Sequence, residues 1–114
     1  MSGVDRMRQV NEQLRTVIGR AIQQELDMPL GVLVTITRVD TSRDLQTAVV
    51  YVMILPNTET DSVMRFLDHQ RHHIQSRLGS VTYLKKTPKI RFMMDKQQMQ
   101  AQTVYDILDT EIGQ

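Results

Sequence analysis

The chain has 114 residues, the size of one ordinary domain, and its 40% hydrophobic and 24% charged residues match a globular protein, which excludes a wholly disordered chain. With no cysteine, disulfides, thiolate metal sites and cysteine nucleophiles are excluded. The formal net charge of +1 at pH 7 hides an uneven distribution along the chain.

The first segment repeats apolar residues at steps of three and four: Met7, Val10, Leu14, Val17 with Ile18, then Ala21 with Ile22. This places one apolar stripe on an amphipathic helix, with Asp5 as its expected N-cap and Pro29 and Gly31 as its stop. Two β-branched segments follow, Val32 to Val39 and Thr47 to Leu55, joined by the polar turn Asp40-Thr41-Ser42-Arg43-Asp44. So short a connection predicts an antiparallel hairpin. The second segment is apolar on both faces from Ala48 to Leu55, as a central strand should be. That run of eight residues is also the longest apolar one, against the roughly 20 that cross a bilayer.

After Pro56-Asn57-Thr58 the helical period returns from Asp61 to about Tyr83, through Val63, Phe66 with Leu67, Ile74, Leu78 and Val81. Gln70, Arg71, His72 and His73 interrupt the stripe, so a bend or change of direction is expected at His69 to His72. Lys85-Lys86-Thr87-Pro88 ends the helical region. A short strand from Ile90 to Met94 comes next, with Ile90, Phe92 and Met94 on one face and Arg91 on the other. Asp95 can cap a last helix carrying Met99, Val104, Ile107, Leu108 and Ile112. The order α-β-β-α(α)-β-α predicts an α+β fold over residues 1–114, one three-stranded sheet with helices on one face.

That order is the one found in type II K-homology domains. Several stretches go further: Arg6-Met7-x-x-Val10, Val34-Thr35-Ile36-Thr37-Arg38-Val39, Asp44-Leu45-x-x-Ala48-x-Val50-Tyr51-Val52, and Thr87-Pro88-Lys89-Ile90-Arg91-Phe92-x-x-Asp95. As an ordered set the chain resembles the ribosome-binding factor A family. The resemblance implies a non-enzymatic assembly factor that binds the small ribosomal subunit late in maturation. It implies action on the small-subunit rRNA near its 5′ end (16S rRNA processing), with most importance in the cold. The family has a small-x-Gly kink between its two central helices. In this chain that position falls at Gln70-Arg71-His72, which has neither the small residue nor the glycine.

The basic residues concentrate in the same region. Between Arg65 and Arg91 the chain carries seven bases (Arg65, Arg71, Arg77, Lys85, Lys86, Lys89, Arg91) and one acid, Asp68. The other seven bases are outnumbered by the other twelve acids. These seven, with His72, are the candidate RNA-binding residues, because phosphate contacts supply most sequence-independent affinity. Arg71, Arg77, Lys85, Lys86 and Lys89 are expected to share one exposed surface, since they avoid the apolar stripe. With three Tyr and two Phe, and Phe66 and Phe92 at core phases, phosphate and shape readout is favoured over base stacking.

His69 and His73 are four apart, but no Glu or third ligand accompanies them, so a polar helix face is preferred to a metal site. Of the eight methionines, Met7, Met53, Met93, Met94 and Met99 sit at phases that predict core filling. No Gly-x-Ser-x-Gly or Gly-x-x-x-x-Gly-Lys motif is present, so no enzyme or cofactor is expected. The expected partners are the small ribosomal subunit and its rRNA, with no membrane and no small-molecule substrate. The protein is expected to be a monomer, and to be cytoplasmic, since Met1 to Arg8 lacks the apolar stretch of a secretory leader. The alternative is a protein-interaction module that pairs through the sheet edge or the C-terminal helix.

Overall fold

In a computed structural model, residues 3–81 and 87–101 are described. Helix α1 spans Gly3–Glu25, strand β1 Leu33–Thr41, strand β2 Thr47–Leu55, helix α2 Thr60–His69, helix α3 Arg71–Val81 and strand β3 Lys89–Met94. A 3-10 turn at Asn57–Glu59 leads into α2, and residues 96–101 begin a further helix, α4. The order and the α+β class are those expected from the sequence. Val104, Ile107, Leu108 and Ile112 lie outside the described residues. No helix among the described residues is long and apolar enough to cross a membrane.

The sheet runs β1-β2-β3, with β2 in the centre. Strand β1 pairs antiparallel with β2, and β3 pairs parallel, with Thr47 opposite Lys89 and Val52 opposite Met94. A parallel neighbour needs a long crossover, which α2 and α3 supply. The helices cover one sheet face. On that face Ala48, Val50, Val52 and Ile54 are fully buried beneath Leu14, Ile18, Leu67, Ile74 and Leu78. Each such large aliphatic side chain contributes about 1.5–3 kcal/mol by leaving water.

The opposite face has no helix among the described residues. Its residues follow from the register: Arg38, Tyr51 and Met93 in one row, Asp40, Val49 and Arg91 in the next, and Leu33 with Leu55 at one end. Leu33 is 56% and Met93 39% exposed. The core role expected for Met53 and Met93 is therefore corrected, because strand alternation points both away from the helical layer. Met99 does fill the core, and its sulfur accepts from the Ile54 N–H at 3.4 Å.

Two local features depart from expectation. Helix α1 already begins at Gly3, so Asp5 lies inside the first turn and does not cap it; there its charge still favours the positive end of the helix dipole. At the hairpin, Thr41 is only 7% exposed, and its hydroxyl has no hydrogen-bond partner among the described residues. A buried hydroxyl without a partner costs on the order of 1–3 kcal/mol. Thr41→Val keeps the shape and removes that cost, so its melting temperature should exceed the wild type's by a few degrees; thermal unfolding followed by circular dichroism checks this.

Candidate nucleic-acid interface

The helical layer carries the first group of basic side chains. Its inward positions, Val63 and Leu67 on α2 with Ile74 and Leu78 on α3, are buried, which turns Arg65, His72, His73 and Arg77 to the exposed side. Helix α2 ends at His69, and its C-cap Gln70, with φ of −87° and ψ of 2°, breaks the helical run before α3 starts at Arg71. The interruption expected at His69 to His72 is thus present, without a glycine. Four polar residues in succession leave no apolar side chain to hold one straight stripe. The break also places His69 and His73 on different helices.

Carboxylates already partner two of these arginines. Arg71 Nη1 lies 3.4 Å from Asp68 Oδ1, with both side chains substantially exposed. Such a surface pair is worth under about 1 kcal/mol, so Arg71 can exchange Asp68 for a phosphate. Arg77 Nε lies 3.3 Å from Glu25 Oε1, and His73 Nε2 lies 3.5 Å from Glu25 Oε2. Glu25 closes α1, where its charge faces the negative end of the helix dipole, and α3 supplies the compensation.

Lys89 and Arg91 do not join this group. They alternate with Ile90 and Phe92, which are buried under the helices, so they stand on the open sheet face. The expectation of one shared surface is corrected accordingly: Arg71 and Arg77 lie on the helical side and Lys89 on the other. Lys85 and Lys86 lie outside the described residues. On the open face the Arg38 guanidinium sits 4.0 Å from the centroid of the Tyr51 ring. This cation–π contact occupies one side of the Tyr51 ring, which stands opposite Met93 in the register, and holds the arginine in place.

A feature the linear charge pattern does not reveal lies at the other end of α1. There a cleft of about 940 Å³ opens between the first half of α1, β1 and the hairpin loop, lined by Arg6, Arg8, Arg15, Arg38 and Arg43 among others. In sequence these arginines are scattered over three elements and interleaved with Asp5, Glu12, Asp40 and Asp44. No one-dimensional charge count could find them.

Gln75 fixes α3 against the sheet. Its Nε2 donates to the Pro88 carbonyl at 2.6 Å, and its Oε1 accepts from the Ile90 N–H at 3.0 Å. The Lys89 N–H donates to the Gln46 carbonyl at 2.9 Å, which ties the start of β3 to the hairpin. At the far end of β3, Asp95 Oδ1 accepts from the Gln98 N–H at 3.1 Å, the N-cap bond expected of it. Its Oδ2 accepts from the Thr37 hydroxyl at 2.6 Å, where a bulge between Ile36 and Arg38 leaves Thr37 unmatched in the ladder.

This architecture has known counterparts. The crystal structure of ribosome-binding factor A from Thermus thermophilus superposes with a TM-score of 0.69 at 23% identity, over 77% of this chain and 93% of that one. A Thermotoga maritima protein solved in solution, a putative ribosome binding factor A, gives a TM-score of 0.68 at 27% identity, over 80% and 88%. A homology model of the Thermus thermophilus factor, fitted into a cryo-electron microscopy map of its 30S complex, gives 0.62 at 24% identity, over 73% and 88%. A sequence profile described as ribosome-binding factor A matches residues 6–108, nearly the whole chain. By that match the chain belongs to the ribosome-binding factor A family.

Proposed function

We propose that the protein binds the small ribosomal subunit and its rRNA late in maturation and promotes processing of the 16S rRNA near its 5′ end. It acts as a cytoplasmic monomer and binds without catalysing a reaction. The observation that carries this reading is the outward-facing basic helical side, Arg65, Arg71, His72 and Arg77, on a fold shared with a protein seen in a 30S complex. Arginine forks suit phosphate oxygens, and the hydrophobic stripe beneath keeps these side chains at the surface, where an RNA backbone can replace the Asp68 and Glu25 carboxylates. Lys85, Lys86, Lys89 and Arg91 are the further candidates, the last two from the open face.

Removing the protein from its cell tests the processing role. Small-subunit rRNA precursors extended at the 5′ end should accumulate, more strongly at low growth temperature. Unchanged rRNA ends at every temperature would contradict it.

Glu25 competes with RNA for Arg77 and His73. Glu25→Gln should therefore raise affinity for small-subunit rRNA a few-fold by removing a negative charge beside the contact. The loss of an ion pair this open to water should cost under about 1 kcal/mol of stability. Fluorescence titration with the transcribed rRNA, beside a melting curve, measures both.

A further inference from the structure

We propose that the cleft at the first half of α1 is a second RNA-backbone site, so that the domain grips two separate RNA segments, one at each end of this helix. The inference rests on the RNA-binding reading above and extends it to residues outside the basic run. Five arginines, Arg6, Arg8, Arg15, Arg38 and Arg43, line the cleft with two carboxylates, Glu12 and Asp44. All five arginines are exposed.

Both carboxylates have partners within their own elements. Glu12 Oε1 lies 3.9 Å from Arg15 Nη1. Asp44 Oδ1 accepts from the Ser42 hydroxyl at 2.7 Å and the Gln46 N–H at 3.2 Å, which braces the hairpin turn. Positive charge in a concave, partly apolar site focuses potential and draws an anion in.

The cleft is also held open by the fold. Asn11 Oδ1, on its wall, accepts from the Thr41 N–H at 3.1 Å and fixes α1 to the end of β1. Leu45 takes a left-handed φ of 61°, and its side chain packs against the core edge, which fixes the loop that presents Arg43. Arg38 borders the cleft, but its guanidinium is turned to the open sheet face over the Tyr51 ring, so the cleft's own charge comes from Arg6, Arg8, Arg15 and Arg43. Among the described residues every base lining the cleft is an arginine, and its planar fork matches two oxygens of one phosphate, as lysine's point charge does not. Arg8 and Arg15 stand seven residues, about 10 Å, apart along α1, a spread that fits a chain of phosphodiesters better than a single small anion.

Separation argues for two RNA segments. From Arg8 to Glu25, which holds Arg77, α1 rises 17 residues, or about 25 Å at 1.5 Å per residue. The cleft and the helical-side arginines therefore contact different stretches of backbone in a molecule whose longest extent is 54 Å.

Two charge-reversed variants separate the sites: Arg6→Glu with Arg43→Glu in the cleft, and Arg65→Glu with Arg71→Glu on the helical side. Binding is measured over a salt series to purified small subunits and to protein-free small-subunit rRNA. Melting curves confirm folding, and Arg6→Gln with Arg43→Gln serves as a milder cleft pair. Each reversed pair should weaken binding to both probes on the order of tenfold. It should also lower the slope of log K against log salt by about two, near 0.9 for each phosphate no longer neutralised. Wild-type affinity and slope for both cleft pairs, with the helical-side pair weakened, would overturn the second site and leave the RNA-binding function standing. Weakened binding to subunits with unchanged binding to free rRNA would assign the cleft to an acidic protein and overturn it as well. If the wild type binds neither probe, the proposed function itself fails, and the cleft proposal with it.

Discussion

Gln75→Ala is expected to lower stability by about 2–3 kcal/mol and the melting temperature by roughly 10 °C. Truncation leaves two backbone groups without their partner at once, the Pro88 carbonyl and the Ile90 N–H, in a partly buried place. An unsatisfied buried group costs about 1–3 kcal/mol, and an alanine can neither donate to Pro88 nor accept from Ile90. Gln75→Glu makes a sharper test. It keeps the acceptor for Ile90 but sets a carboxylate against the Pro88 carbonyl, so this variant should gain stability as pH falls and the carboxyl protonates. A Gln75→Ala protein melting within about 2 °C of wild type would show that the bridge does not hold β3 to α3.

Asp95→Ala should cost about 1–2 kcal/mol, since one side chain both caps α4 and receives the Thr37 hydroxyl at the bulge. The Thr37 hydrogen bond comes first in holding the Asp95 carboxyl below the ordinary value of 3.8, against the opposing effect of burial, with help from the Gln98 N–H and the nearby Arg38 charge. A lowered folded-state value fixes the sign. The charged form is favoured in the folded state, so its contribution is complete above about pH 4 and is lost as pH falls through the folded-state value. Asp95→Asn still accepts from Gln98 but cannot ionise. The stability difference between wild type and Asp95→Asn should therefore be flat above about pH 5 and shrink in more acidic solution. A difference that stays constant down to about pH 2, read from chemical denaturation at each pH, would show that the charge on Asp95 does nothing for the fold.

The elements were legible because each carries a clean period. The uninterrupted Ala48 to Leu55 run marks β2, and its two-sided apolarity marks it as central. Sequence misleads at Met53 in that run and again at Met93 in β3: both alternate with the core and are as apolar as their neighbours, although one sheet face carries no helix among the described residues. The break at Gln70 was readable from the lapse in the stripe, not from any glycine.

The site was legible only in part. The charge run names the right helices, yet strand alternation separates Lys89 and Arg91 from Arg71 and Arg77, and proximity in sequence hides that. Alternation of Lys89 and Arg91 with Ile90 and Phe92 was the available signal. For the arginine cleft there was none, because only the fold of α1 against the hairpin brings Arg6 and Arg8 towards Arg43.

Co-sedimentation with purified ribosomal subunits across a salt series measures most directly whether this fold presents its basic surfaces to the small subunit. The protein should travel with small but not large subunits at roughly 50 mM salt and dissociate steeply as salt rises several-fold, as counterion release requires. Equal recovery with both subunits, no recovery with small subunits at low salt, or binding that salt leaves unchanged would contradict the account.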